Sequence, residues 1–130
     1  MNASSGIILI VDDDPLLRSV LSDLVEDAGF SPMEACDCDA AIAVMESRSD
    51  IALLLTDVNM PGSMDGLSLA HAACKRWPSI KIIVVSGLDY LSEFIPAGAR
   101  FFAKPYHCDS VLSEIRNLLG PRAVPVGAPG

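Results

Sequence analysis

Basic residues are scarce in this chain. Nine lysines and arginines stand against 17 aspartates and glutamates, a net charge of −8 over 130 residues. Direct nucleic-acid binding needs Lys and Arg clustered against phosphates, so it is not expected. The surplus of acid serves solubility. Long apolar runs are missing too. None approaches the roughly 18 residues that cross a bilayer, so no membrane partner is expected. Met1-Asn2-Ala3-Ser4-Ser5 carries no basic side chain, and the apolar stretch behind it does not read as a secretory signal. The expected location is cytoplasmic. The four cysteines form no C-x-x-C pair, and the nearest two, Cys36 and Cys38, flank Asp37. His71 and His107 lie far from them, so a zinc site is not expected and the thiols should be reduced.

What is present is a core. Half of the residues are hydrophobic, enough for one domain of this length. The chain is organised around Leu54-Leu55-Thr56-Asp57-Val58-Asn59-Met60-Pro61. The apolar run from Ile51 to Leu55 makes one buried strand; it ends at the carboxylate of Asp57 and turns at Pro61-Gly62.

The same rhythm recurs on both sides. Ile7 to Val11 reads as a strand buried on both faces, followed by Asp12-Asp13-Asp14. Asp14 caps a helix starting at Pro15, expected to bury Leu16, Leu17, Val20, Leu21, Leu24, Val25 and Ala28 and to end at Gly29. A weaker strand covers about Pro32 to Cys36, and Asp37 or Asp39 caps a second helix. Asp65 caps a third, which stops before Trp77-Pro78. Ile80 to Val85 is a fourth strand and Phe101 to Ala103 a fifth; Asp109 is expected to cap the last helix, closed by Gly120-Pro121. Between Gly87 and the fifth strand, Pro96 and Gly98 leave room for a helix only from Leu88 to Phe94, about two turns. Its apolar residues Leu88, Leu91, Phe94 and Ile95 are expected to dock loosely beside Phe101. Residues 1–6 and 121–130 read as disordered ends of a 7–120 domain.

Strands alternating with helices imply a parallel sheet covered on both faces, an α/β fold. The carboxyl ends of all strands then lie along one edge, where ligands bind. Asp12, Asp13, Asp57, Ser86 and Lys104 all fall there. Carboxylates brought together repel, and a divalent cation relieves them; hard oxygen ligands suit Mg2+. With the Ser86 hydroxyl and the Lys104 ammonium added, the set suits phosphoryl transfer onto Asp57 as a covalent acceptor.

These residues carry a resemblance. Val11-Asp12-Asp13-Asp14-Pro15, Thr56-Asp57-Val58-Asn59-Met60-Pro61-Gly62, Met64-Asp65-Gly66, Val85-Ser86-Gly87 and Lys104-Pro105 resemble, in order, a response-regulator receiver domain of two-component phosphorelay signalling. The resemblance spans about Ile7 to Leu119. It implies a flavodoxin-like (βα)5 doubly wound fold, a five-stranded parallel sheet in the order 2-1-3-4-5, here with a short or degenerate fourth helix. It implies phosphorylation of Asp57 by a histidine kinase or histidine phosphotransfer domain. Asp12, Asp13, Asp57 and the backbone carbonyl of Asn59 would hold Mg2+. Ser86 and Lys104 would contact the phosphoryl group, and Ser86 and Phe101 would act as the switch pair. Such a receiver would catalyse only its own phosphorylation and dephosphorylation.

There are three departures from the family pattern, and the last two bear on output. The loop after Met60 is one residue longer than the common pattern, the interval from Ser86 to Lys104 is about one helical turn shorter, and Phe101 lacks a hydroxyl. These features resemble small stand-alone receivers and receivers of hybrid kinases. No DNA-binding or catalytic output region follows Leu119, so a downstream protein partner, or a longer parent chain, is expected, with the domain itself a monomer or weak dimer. Asn59 and Leu88, two residues beyond Asp57 and Ser86, are expected to line the lip where water enters. The competing readings are a haloacid-dehalogenase-type phosphatase and a binding module that works without phosphorylation. The phosphatase wants a second aspartate where Asn59 stands, and the intact acidic set speaks against the unphosphorylated module.

Overall fold

The first strand, β1 (Ile7–Val11), sits inside the sheet with no polar residue. The computed structural model describes residues 6–58 and 65–120. Around β1 lie β2 (Ser31–Ala35), β3 (Ile51–Asp57), β4 (Lys81–Ser86) and β5 (Arg100–Ala103). All pairs are parallel, in the order β2-β1-β3-β4-β5. Helices α1 (Pro15–Asp27), α2 (Cys38–Ser47) and α3 (Gly66–Arg76) fill the first three crossovers, and α4 (Cys108–Leu119) follows β5. The expected flavodoxin-like order is the observed one. The ends expected to be disordered fall, from 1 to 5 and from 121 to 130, outside the described residues.

Alternate strand residues feed two cores, because successive side chains point to opposite faces. Leu9, Val11, Leu54 and Val84 pack with Ala41 and Met45 of α2 and Leu69 and Ala73 of α3. Ile8, Ile10, Leu53, Leu55, Ile83 and Val85 meet Leu21 and Val25 of α1 and Val111 and Ile115 of α4. Each such Leu or Ile contributes roughly 1.5–3 kcal/mol by leaving water.

Local chemistry sets the helix ends. Asp14 accepts from the amides of Leu16 and Leu17 at 3.0 and 3.4 Å, with Pro15 opening α1. Gly29, at φ +98°, lets the chain leave that helix. Between the two candidates for α2, Asp37 is the cap, accepting from Ala40 at 2.8 Å, and Asp39 lies in the first turn. Asp65 caps α3 through the Ser68 amide, and Trp77 ends it.

Three expectations are corrected. Leu16 and Val20 are 73% and 42% exposed rather than buried. The stripe facing the sheet runs through Leu21, Val25 and Ala28, and residues 16 and 20 fall on its flank. Asp109 does not cap α4; His107 holds that position without a side-chain bond, and Asp109 sits in the first turn, where the helix dipole favours it. The second strand begins at Ser31 and ends at Ala35, leaving Cys36 outside.

The fourth crossover holds a single 3-10 helix, Asp89–Phe94. Ile95, just before Pro96, is extended at φ −77°, ψ 156°. Leu91 and Ile95 pack with Phe101 against the α2–α3 side, as expected. Leu88 and Phe94 do not, at 44% and 55% exposed. Of these four, only Leu91 and Phe94 belong to the 3-10 helix; Leu88 precedes it and Ile95 follows it.

Candidate functional site

The register of the sheet assembles the edge. Val11 pairs with Thr56, Asp57 with Val85, and Ser86 with Ala103. Asp12, Asp57, Ser86 and Lys104 therefore follow one another across neighbouring strand ends. Asp12, Asp57 and Ser86 are 3%, 4% and 0% exposed. Lys104 Nζ donates to Asp57 Oδ2 at 2.6 Å, and the Lys104 amide donates to the Ser86 carbonyl at 2.8 Å. The Lys104–Pro105 peptide is cis. Ser86 Oγ accepts from the Leu88 amide at 3.0 Å, so its own hydroxyl proton remains to donate elsewhere.

Asp12, Asp13 and Asp57 each bring one carboxylate oxygen within 4.8 Å of the others, with Asp13 exposed. Octahedral Mg2+ sets neighbouring oxygens about 3 Å apart and opposite ones about 4 Å apart, so the three need only small adjustments. Hard, anionic oxygens and an open side fit that ion. The crowding registers in Asp12, whose carboxyl is raised above the usual value. Burial is the main cause; the charges of Asp57 and Asp13 add, while the Asp14 amide and Lys104 oppose.

Gly66 packs against the end of β3. A Cβ there would meet the Asp57 carbonyl oxygen at 1.8 Å, and the Gly66 amide donates to the Val58 carbonyl at 3.0 Å. Only glycine lets α3 start this close to the end of β3. Tyr106 also belongs to this edge. Its hydroxyl is buried and has no partner among the described residues, and burial, with Cys108, Asp12 and Asp57 nearby, pushes it up to about 12. It lines an open, mostly apolar depression of about 440 Å³ with Leu17, Lys104, Pro105 and Cys108.

The expected site residues Asp12, Asp13, Asp57 and Lys104 are thus brought together, with Ser86 on the next strand end. Phe101 lies on β5, half-buried against the α2–α3 core rather than at the carboxylates. Asn59, and with it the lip expected at that residue, lies outside the described residues. Sequence reasoning passed over Arg18, Glu34 and Tyr106, and took Gly66 only as part of the Met64-Asp65-Gly66 motif. Gly66 alone left a signal: a poor helix former at the first position of a helix, placed there by the strand it touches.

The family profile for the response regulator receiver domain matches residues 8–116. The chain belongs to the response-regulator receiver family. This receiver is 31% identical over 116 residues to the response regulator receiver protein CpdR of Brucella abortus, covering 86% of this chain and 95% of that one. It is 31% identical over 110 residues to the nitrogen assimilation regulatory protein NtrX of Azorhizobium caulinodans, covering 81% of this chain and 24% of the relative. The receiver thus spans about a quarter of the NtrX length and nearly all of CpdR. Among solved structures, the receiver domain of the hybrid histidine kinase CckA superposes with a TM-score of 0.74 at 31% identity, covering 88% of this chain and 99% of that one. The response regulator TrrA of Thermotoga maritima, in complex with Mg(2+)-BeF, gives a TM-score of 0.77 at 24% identity over 88% and 99% of the two chains, a likeness of fold. The receiver is homologous to phosphorylatable response regulators of two-component signalling. The comparisons give no support to a haloacid-dehalogenase-type phosphatase or to a binding module that works without phosphorylation. Among the described residues no helix is long and apolar enough to cross a membrane.

Proposed function

We propose that this receiver takes a phosphoryl group onto Asp57 and passes the signal on by protein contact. One observation carries the reading. Asp57 is buried to 4% exposure at the end of the central strand, with Lys104 2.6 Å away and two further carboxylates beside it. A carboxylate in that setting is shielded from water on one side and electrostatically prepared for an anionic group on the other.

The donor is a phosphohistidine of a histidine kinase or phosphotransfer protein. An Asp57 oxygen forms the new bond to phosphorus while the bond from phosphorus to the imidazole nitrogen breaks, and that nitrogen keeps the electron pair. Lys104 turns from Asp57 to pair with a phosphoryl oxygen, and the Ser86 hydroxyl donates to another. Asp12, Asp13, Asp57 and the Asn59 carbonyl would hold Mg2+, which when bound supplies neutralising positive charge at the phosphoryl oxygens. Return to the resting state is hydrolysis: water attacks phosphorus and the acyl phosphate bond breaks. The apolar depression beside Lys104, lined on α1 by Leu17, offers the phosphohistidine protein a place to dock. Ser86 and Phe101 are the switch pair, the half-buried ring following the hydroxyl as it turns to the phosphoryl group. The location that suits such a partner is cytoplasmic.

Acetyl phosphate with Mg2+ tests the reading. Intact mass should show one added phosphoryl group, lost in Asp57→Asn and in EDTA. Full labelling of Asp57→Asn would refute the assignment.

A further inference from the structure

Asp12 is held from three sides. Its amide donates to the Ala35 carbonyl at 3.2 Å, and its Oδ1 accepts from the Asp14 amide at 2.8 Å. Its carbonyl accepts from Arg18 Nη1 at 2.7 Å. The first two bonds come with the end of β1 and the turn into α1. The third does not: it commits a long side chain, only 17% exposed, to one main-chain oxygen. The same guanidinium donates through Nε to Glu34 Oε1 at 3.1 Å, on β2. Glu34 is fixed in turn, because its other oxygen accepts from Ser22 Oγ at 2.8 Å. Ser22 lies one turn beyond Arg18 on α1 and is 7% exposed. An exposed Arg–Glu pair by itself adds little. This one points its free nitrogen at the peptide that joins two of the clustered carboxylates.

We propose that Arg18 is a positioning residue for the acidic edge, clamping the Asp12 carbonyl so that Asp12 and Asp13 meet a divalent cation in fixed directions. The inference rests on the Mg2+ reading above. The Asp12 carbonyl and the Asp13 amide belong to one planar peptide, so holding the first orients the second. Asp13 is exposed and needs that orientation from its backbone. Arginine suits the task because its rigid fork serves the carbonyl and the Glu34 carboxylate at once, which a lysine does not. Its bond goes to the carbonyl and not to the carboxylate, so its effect is one of geometry. Groups that orient metal ligands in this indirect way commonly govern affinity by about 10–100-fold.

Amide NMR of the full chain, titrated with MgCl2, tests this. Arg18→Met should weaken Mg2+ binding about tenfold or more. Arg18→Lys should restore part of the loss. In metal-free protein, the amides of Asp13 and Asp14 should already be displaced in Arg18→Met, a change that general loss of stability would not confine to that turn. Arg48→Met removes the remote Arg48–Asp50 pair at 2.8 Å and should do neither. Should Arg18→Met fail to fold, Glu34→Gln carries the test, since it keeps an acceptor for the buried Ser22 hydroxyl and removes the charge that holds the guanidinium over the Asp12 carbonyl. Unchanged Mg2+ affinity and unchanged Asp13 and Asp14 amides, in whichever of these variants folds, would overturn the clamp. Wild type that takes up no Mg2+ would instead overturn the metal reading itself.

Discussion

Lys104 and Asp57 form an asymmetric pair: the carboxylate side chain is 5% exposed and the ammonium side chain 32%, at 2.6 Å. Burial decides what each loses without the other. Lys104→Met leaves a buried anion among like charges, and a hydrogen bond to a charged group contributes about 1.5–3 kcal/mol. Asp57→Asn leaves a lysine that can turn to water, and it removes one of three repelling carboxylates. In EDTA, urea unfolding should show Lys104→Met destabilised by ~2 kcal/mol. Asp57→Asn should stay within about 1 kcal/mol of wild type, or exceed it. Equal losses in the two would mean that the pair is not electrostatically one-sided.

Asp12 predicts a pH dependence of definite sign. Its carboxyl is raised above the usual 3.8 in the folded protein, chiefly by burial. Below that usual value both folded and unfolded chains carry the proton, and the group takes nothing from stability. As pH rises, the unfolded chain releases the proton first and the folded chain holds it longer. Stability therefore falls from pH 3.8 until the folded carboxyl ionises too. Asp12→Asn removes this loss and keeps the acceptor for the Asp14 amide. Without divalent cations it should melt higher than wild type at pH 7, and the advantage should disappear near pH 3.5 (about where the usual carboxylate is protonated). A constant difference across that range would assign the change to packing instead.

Gly66 tests the junction of β3 and α3, with Gly98 and Gly87 as graded comparisons. At Gly66 an added Cβ would strike the Asp57 and Val58 backbone at 1.8 to 2.8 Å, and backbone cannot move aside cheaply. Gly66→Ala should cost at least ~3 kcal/mol, at the upper end of overpacking, and slow acyl phosphate formation by displacing Asp57. At Gly98 space is open but φ is +88°, so alanine should cost about 1–2 kcal/mol. Gly87 has open space and no positive φ, and Gly87→Ala should be nearly neutral. Thermal melts of the three variants would show the order, and a mild Gly66→Ala would contradict the close approach of α3 to β3.

The contrast between Asp57 and Arg18 shows what the sequence discloses. Apolar runs ending in Asp12, Asp57, Ser86 and Lys104 place those residues at one sheet edge, because parallel strands share a direction. Caps such as Asp14 and Asp65 are equally legible, since their partners lie two or three residues away. Arg18 meets Asp12 and Glu34 only once α1 lies against β2, and no local pattern marks it among ordinary helix-surface arginines. Gly66 is hidden for the same reason, its constraint coming from a strand end eight or nine residues earlier. Leu16 and Val20 were misjudged because periodicity marks a stripe but not how wide a stripe the sheet will cover. Asp109 was misjudged because an acidic residue suits both the cap and the first turn.

The 3-10 segment between β4 and β5 should be the least protected part of the described fold. It is six residues long, and its N-terminal end has no side-chain cap. A piece that short does not hold itself together by its own turns. Among the described residues it is fastened by the inward packing of Leu91 and Ile95, by a bond 2.5 Å long between His71 Nε2 on α3 and the Phe94 carbonyl, and at its start by the Leu88 amide on Ser86 Oγ. A carbonyl only accepts, so Nε2 carries the hydrogen. Losing one such bond typically costs 0.5–1.5 kcal/mol, which corresponds to about a 2–12-fold rise in local opening. Hydrogen exchange read at the amide of Leu91, which donates to the Leu88 carbonyl at the start of this segment, should therefore be faster than in α1. His71→Ala should speed it further while leaving α1 unchanged. Beryllofluoride with Mg2+, which imitates the phosphoryl group, should speed exchange there if Ser86 turns toward the mimic, since Ser86 Oγ then releases the Leu88 amide that it anchors at the start of the segment. Protection equal to α1 in wild type, or indifference to His71→Ala, would show that packing and the Ser86 anchor secure the segment and that the histidine does not fasten it.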